Sequence, residues 1–335
     1  MPPRNLPFPP MEAELVDELP AGDGWQYEPK WDGFRGVLEN LDGELHLWSR
    51  NARPLLRYSP ELAPPGEQLP PGSAVDGEIV IERAGGLDFD ALQMRLHPAE
   101  SRVRKLAAEI PAQLVCFDVL CLEHEPVHRL VLEERRKLLE RLPFEISPCT
   151  LDSRVAQGWL ERLEVAGFDG VIAKRLGQPY RPGSREAVVK VKRHKTADCV
   201  VVGLRFAKKQ GRIATLLLGL YDDEGTLRYV GSAAVGGRRE AEVAALVTPL
   251  LENAPDRRFS EPNRWGSGEL EEAAVRPELV VEVRYDKWQG FRFRHGTRLL
   301  RFRPDKDPGQ CTVDQVRPRP NPGDPTVAEL LTRPG

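Results

Sequence analysis

The sequence predicts an α+β chain of two domains, and three observations lead there. A length of 335 residues suits about two domains better than one compact unit. From about Trp25 to Lys195 short apolar strands alternate with amphipathic helices, a mixed pattern of the α/β or α+β kind. Past Lys195 the pattern changes to strand, hairpin and strand, interrupted by a single helix.

Within the first stretch, strands over 37–41 and 44–48 flank Asp42-Gly43, a favoured hairpin turn. Further strands are expected over 74–81, 113–119, 170–174 and 187–191, and helices over 88–96, 132–142 and 153–166. In the second stretch strands are expected over 199–205, 213–221 and 226–231, with a turn at 222–225, then a helix over 238–253 and strands over 278–285 and 291–302. Five short strands with one helix fit a small Greek-key barrel such as an OB-fold, and an SH3-like barrel would give a similar pattern. From Arg317 to Gly335, Pro318, Pro320, Pro322, Pro325 and Pro334 with few apolar residues predict a loose tail. The expected division is therefore 1–195, 196–316 and a proline-rich tail over 317–335.

Composition excludes several classes. Charged residues make up 30% of the chain and no run approaches the roughly twenty apolar residues needed to cross a bilayer, so a soluble protein is expected. The N-terminus shows no export signal, which points to the cytoplasm. Cys116, Cys121, Cys149, Cys199 and Cys311 form no Cys-x-x-Cys pair, so neither a zinc ribbon nor a disulfide framework is indicated. His46, His97, His124, His128, His194 and His295 show no metal-ligand spacing. A net charge of -3 leaves room for a local positive surface that binds nucleic acid.

The chemistry-bearing signal is Glu28-Pro29-Lys30-Trp31-Asp32-Gly33-Phe34-Arg35, a Lys-x-Asp-Gly-x-Arg pattern just after a predicted strand. Alone it could be a charged turn, since chance would supply those four positions in roughly a few chains per thousand of this length. Further elements follow in order: Trp48-Ser49-Arg50-Asn51, Val75-Asp76-Gly77-Glu78-Ile79, Phe117-Asp118-Val119-Leu120, Asp169-Gly170-Val171-Ile172-Ala173-Lys174, Lys190-Val191-Lys192, and Arg301-Phe302-Arg303-Pro304-Asp305-Lys306. In this order they resemble the motifs of the covalent nucleotidyltransferases, the superfamily of DNA ligases, RNA ligases and mRNA capping enzymes. Leu92 to Pro98, His194 to Val201, Val281 to Asp286 and Phe293 to His295 look most like the small bacterial ligase C type.

The resemblance implies an N-terminal adenylylation (nucleotidyltransferase, ATP-grasp-like) domain followed by a small OB-fold β-barrel. It implies an ATP-dependent DNA ligase that forms a lysyl-AMP, passes AMP to a 5′-phosphate and seals the nick by attack of the 3′-hydroxyl. Lys30 would accept AMP. A lysine amine attacks phosphorus only when neutral, and ordinary lysines are protonated near pH 10 and below, so burial or neighbouring cations such as Lys190, Lys192 and Arg35 are needed. By resemblance Lys190 and Lys192 contact the α-phosphate, Glu28 accepts from the adenine amino group, Phe117 stacks on adenine, and Glu78 meets the ribose. Lys174 and Arg185 face the nucleotide phosphates or the nick, and Arg50 is a further cofactor-binding residue. Arg303 and Lys306, with Asp305 between them, serve the pyrophosphate-releasing step, with a hinge over 193–197. Glu78 and Asp169 are the metal candidates, for Mg2+ or alternatively Mn2+, although relatives mostly carry a glutamate, one methylene longer, where Asp169 stands. Asp32 positions metal or DNA phosphate.

The expected partner is nicked double-stranded DNA, bound by a monomer, with DNA-repair or end-joining proteins as further partners and no membrane. Arg50, Arg53, Lys208, Lys209, Arg292 and Arg294 are candidates to neutralise DNA phosphates. Location in a bacterium would be cytoplasmic and nucleoid-associated. Two other readings stay open: an RNA ligase or capping-type enzyme, and a DNA-binding module without catalysis. Self-labelling by ATP separates a DNA ligase from a capping enzyme, which would take GTP, and from a binding module, which would take neither. A nick-sealing assay comparing DNA and RNA strands separates it from an RNA ligase.

Overall fold

The computed structural model describes residues 9–193, 195–207, 212–252 and 272–332. Two compact units emerge: Met1–Arg193 together with Arg319–Gly335, and His194–Pro318. The chain thus leaves the first unit and later returns to it, where the sequence suggested a tail belonging to neither domain.

The first unit contains a four-stranded and a five-stranded sheet. The four-stranded sheet has the order Glu14–Val16, Val188–Val191, Val171–Arg175, Trp25–Pro29. Side chains alternate across a strand, so Tyr27, Val171 and Ala173 pack on Ala156 of the helix Ser153–Arg162, leaving Glu28, Lys174 and Lys190 to the other face. The register sets Ile172 beside both Glu28 and Lys190.

In the five-stranded sheet the order is Glu44–Ser49, Phe34–Leu41, Ser73–Val80, Gln113–Cys121, Glu145–Ile146. Its first hairpin turns at Asp42 and Gly43, whose φ values of 52° and 101° are those of a primed turn. Arg35 lies directly opposite Glu78. The expected helices form in shorter versions, Phe89–Gln93, Leu132–Leu139 and Ser153–Arg162, the first capped by Asp88 accepting from the Ala91 amide at 2.8 Å. Arg95, in the Leu92 to Pro98 stretch, is fully buried; it donates to Glu61 at 2.7 Å and to the Ile110 carbonyl at 2.6 Å, which is a structural tie. The helix Glu100–Glu109 was not anticipated.

In the second unit Lys195–Phe206 pairs with both Ile213–Tyr221 and Val280–Tyr285. Leu227–Ala234 pairs with Ile213–Tyr221 and, in parallel, with Thr297–Phe302, which pairs back to Val280–Tyr285. Five strands therefore close into a Greek-key barrel around Val200, Leu204, Leu216, Leu218 and Val281, with the helix Glu240–Val247 between its third and fourth strands. This is the OB arrangement, and the SH3-like alternative falls away. The expected helix over 238–253 is shorter because Pro249 cannot continue it, and a 3-10 turn, Thr248–Leu250, takes over. The expected strand over 291–302 is broken: Arg292–Phe293 pairs with Trp288–Gln289, and Thr297–Phe302 is a separate strand.

The proline-rich tail is corrected by the described residues up to 332. Val327–Thr332 is a helix whose Val327 and Leu330 join Trp31, Val80, Val115, Leu163, Ala166 and Phe168 in one buried cluster. Thus the C-terminal segment fills the floor beneath the residue that follows Lys30. Leu330→Ala should destabilise the first unit by about 2–4 kcal/mol, the usual range for emptying a buried leucine site. Urea unfolding of the full chain measures it, and an unchanged midpoint would show that the helix does not stay docked in solution. Among the described residues no helix is long and apolar enough to cross a membrane.

Candidate active site

The Lys30 backbone is clamped by the segment that follows Phe168. The Lys30 amide donates to the Gly170 carbonyl at 2.9 Å, and the Asp169 amide donates to the Lys30 carbonyl at 3.0 Å. Two glycines allow the chain to pass so closely: a Cβ at Gly33 would collide with the Ile79 carbonyl oxygen, and one at Gly170 with that of Val191. With the backbones joined, the side chains meet. Asp169 Oδ2 lies 2.7 Å from Lys30 Nζ and 2.7 Å from Lys192 Nζ. Burial works against the Asp169 charge, but the two ammonium groups outweigh it and hold its carboxyl well below the usual carboxylate range.

A cavity of about 300 Å³ opens beside this pair. Its wall includes Glu28, Lys30, Arg35, Arg50, Glu78, Phe117, Lys174, Arg185 and Lys190, nine residues singled out by sequence and brought here from both sheets. Burial lowers the Lys190 pKa, helped by Lys30, Lys192 and Arg185 nearby, so this strand end is crowded with positive charge. Burial pushes the Glu78 carboxyl up to about 7 against the pull of Lys30 and Arg35, while Asp32, itself buried, pushes the same way as burial. The Gly33 amide donates to Glu78 Oε1 at 3.2 Å.

At the other end, Glu28 Oε1 accepts from Gln26 Nε2 at 2.8 Å and pairs with Lys174 Nζ at 2.7 Å. Lys174 also donates to the Phe117 carbonyl at 2.9 Å and stands 4.9 Å from the Phe117 ring centroid. The structure therefore sets Lys174 with Glu28 and Phe117, at the end where the resemblance puts the base, and not with the phosphate cations as expected. Phe117 is only half-buried, unlike an ordinary core phenylalanine, and the Arg35 guanidinium lies 4.7 Å from its centroid.

Sequence reasoning missed the residues that hold Arg35. Asp76, fully buried, accepts from Arg35 Nε at 2.6 Å and from the Tyr180 hydroxyl at 2.7 Å. Burial opposes the Arg35 charge, Asp76 outweighs it, and the guanidinium is raised further above its ordinary value. The Met11 amide donates to the Tyr180 hydroxyl at 2.8 Å and the Met11 carbonyl accepts from Arg35 at 3.1 Å, which brings Met11, Glu12 and Ala13 into the cavity wall.

Among the described residues no group of three or more His, Cys, Asp or Glu side chains could hold a metal by itself. Two carboxylates do flank the Lys30 amine: Asp169 by contact and Glu78 within electrostatic reach. Such a donor set fits magnesium, which commonly takes one or two carboxylates and completes its shell with phosphate oxygens and water.

In the second unit Arg303 Nη1 donates to Asp198 Oδ1 at 3.0 Å and Lys306 Nζ donates to Asp198 Oδ2 at 2.7 Å, with Asp305 accepting from Arg303 Nε at 2.9 Å. Arg50, Arg53 and Arg292 are exposed and Arg294 is half-buried. Lys208, Lys209 and His194 lie outside the described residues.

Residues 10–192 match the family described as ATP-dependent DNA ligase domain, and 209–306 match the ATP-dependent DNA ligase C-terminal region. This chain belongs to the ATP-dependent DNA ligase family. Among its relatives, DNA ligase C2 of Mycolicibacterium smegmatis is 41% identical, the match covering 94% of this chain and 96% of the relative. DNA ligase C of Mycobacterium tuberculosis is also 41% identical, covering 92% and 94%. A solved structure from a study of Lig E DNA ligases, 17% identical with a TM-score of 0.55, covers 88% of this chain and all of that one, and at that identity it supports the fold alone. Within the ATP-dependent ligase family the chain is of the bacterial ligase C type, and ATP is the nucleotide of the family.

Proposed function

We propose that the chain seals nicks in duplex DNA through a lysyl-AMP on Lys30. The observation that carries this reading is the cavity in which the Lys30 amine meets a base end, Glu28 and Phe117, and a cationic end, Arg50, Arg185 and Lys190. In the first step Lys30 Nζ forms a bond to the α-phosphorus and the bond to pyrophosphate breaks. The amine attacks as the neutral base and must leave its contact with Asp169 to do so. Lys190 and Lys192 stabilise charge developing on the α-phosphate oxygens, and Arg35 is held ready by Asp76 and Tyr180. A divalent cation held by Asp169 and Glu78, with phosphate oxygens and water, would supply further positive charge there. Magnesium is the proposed ion, with manganese as the alternative. In the later steps AMP passes to the 5′-phosphate and the 3′-hydroxyl displaces it.

The proposed substrate is nicked double-stranded DNA and the proposed active form a monomer, working in DNA repair with an end-joining system as a further setting. A 5′-phosphorylated nick offered with DNA or RNA on either side tests the substrate: sealing confined to DNA strands is expected, and faster sealing of all-RNA nicks would move the chain to the RNA ligases. Labelling by GTP in place of ATP would point to capping chemistry.

For Asp169, Asp169→Ala should lose at least about tenfold in self-labelling, while Asp169→Glu retains activity with a changed magnesium-to-manganese preference. Metal titrations of both variants check this, and full activity of the alanine variant in either metal would remove Asp169 from the site.

A further inference from the structure

One carboxylate sits among the cations at the phosphate end of the cavity. Glu12 Oε2 accepts from Arg185 Nε at 2.7 Å and from Arg185 Nη2 as well, a two-pronged pair in the cavity wall. Arg185, Arg50 and Lys190 all favour its charged form, which lowers its pKa despite partial burial. The backbone that carries it is fixed: the Glu12 amide donates to the Ser184 carbonyl at 2.9 Å, and Met11 is bonded to Tyr180 and Arg35. The backbone at Glu12 is therefore held at this place.

A carboxylate and a polyphosphate need the same partners. We propose that Glu12 is an in-chain counter-anion that occupies Arg185 until the phosphates of ATP displace it, and so sets how much ATP the protein needs. This rests on the nucleotide reading above. The exchange leaves Arg185 paired in both states, so the cation is never stranded, but each ATP must compete with Glu12 for it. The effect falls on binding and not on AMP transfer, because Glu12 gains nothing as the P–O bond breaks.

The test is self-labelling of the full chain with α-labelled ATP over a range of concentrations. Glu12→Gln should lower the half-saturating ATP concentration roughly two- to fivefold, the scale of a partly exposed ion pair, and leave the plateau rate where it was. Raising the salt should narrow the gap. In an Arg185→Gln background, where the competition has no object, the same substitution should have no effect on half-saturation. An unchanged or higher half-saturation in Glu12→Gln, or a gain that persists without Arg185, overturns the proposal. Absence of label on the wild type would sink the nucleotide reading and this proposal with it; label with unaltered half-saturation sinks the proposal alone.

Discussion

Lys30→Ala is expected to abolish covalent AMP attachment. Lys190 and Lys192 bring other amines near the cavity, so a leak through a neighbour is the outcome to watch for. Lys190 projects from the strand Val188–Val191 on the opposite side of Val171–Arg175 from the strand that leads into Lys30. Lys192 is drawn to Asp169. Neither is fixed by the backbone clamp that ties Lys30 to Asp169 and Gly170. Lys30→Arg should fail too, since a guanidinium stays protonated and cannot attack. Denaturing electrophoresis after incubation with α-labelled ATP reads the result, and undiminished label on either variant would place the nucleophile elsewhere.

The second large effect is expected at Asp76. Removing this fully buried carboxylate strips Arg35 of its main partner and leaves the Tyr180 hydroxyl without its acceptor. Breaking one side of a buried ion pair costs about 3–5 kcal/mol. Because the Arg35 side chain keeps 25% of its exposure, water takes over part of the charge, and about 2–3 kcal/mol is expected for Asp76→Ala. Labelling should fall together with stability, as Arg35 is then free to leave the cavity. Tyr180→Phe removes two hydrogen bonds, the one donated to Asp76 and the one accepted from the Met11 amide, and should cost about 1–3 kcal/mol while keeping most of the labelling. Urea unfolding and the labelling assay, run in parallel on both variants, check this pair. Wild-type stability and labelling in Asp76→Ala would mean that Arg35 is positioned by something else.

Much of this was legible in the sequence because local pattern and local chemistry agreed. The hairpin at Asp42-Gly43 is written in two residues that accept positive φ, and the strand 213–221 forms as read because its apolar run is bounded on both sides. Eight of the nine cavity residues were found because each sits in a short motif, and Arg185 came only from the family resemblance. What escaped reading depends on distant partners. Asp76 and Tyr180 are 104 positions apart, and nothing near Tyr180, in a loop rich in glycine and proline, announces a buried acceptor. Lys174 reads as one more cation until the register of its strand sets it across from Gln26, next to Glu28. The helix Glu100–Glu109 buries only Val103 and Ala107, too thin a stripe for its periodicity to stand out. Glu12 resembles any terminal acid until Arg185 is folded over it.

The helix Val327–Thr332 has a consequence for how the protein is made. A chain emerging from the ribosome tends to fold its early domain first. Here the floor under Trp31 and Phe168 is completed by Val327 and Leu330, which are synthesised only after the whole barrel. Contacts between such remote positions must meet their loop-closure entropy before they are rewarded, and so form late. A nascent or prematurely terminated chain that includes Lys30 and the cations therefore presents Trp31, Leu163 and Phe168 without their cover. The finished first unit is assembled from segments that lie on both sides of the barrel in the sequence.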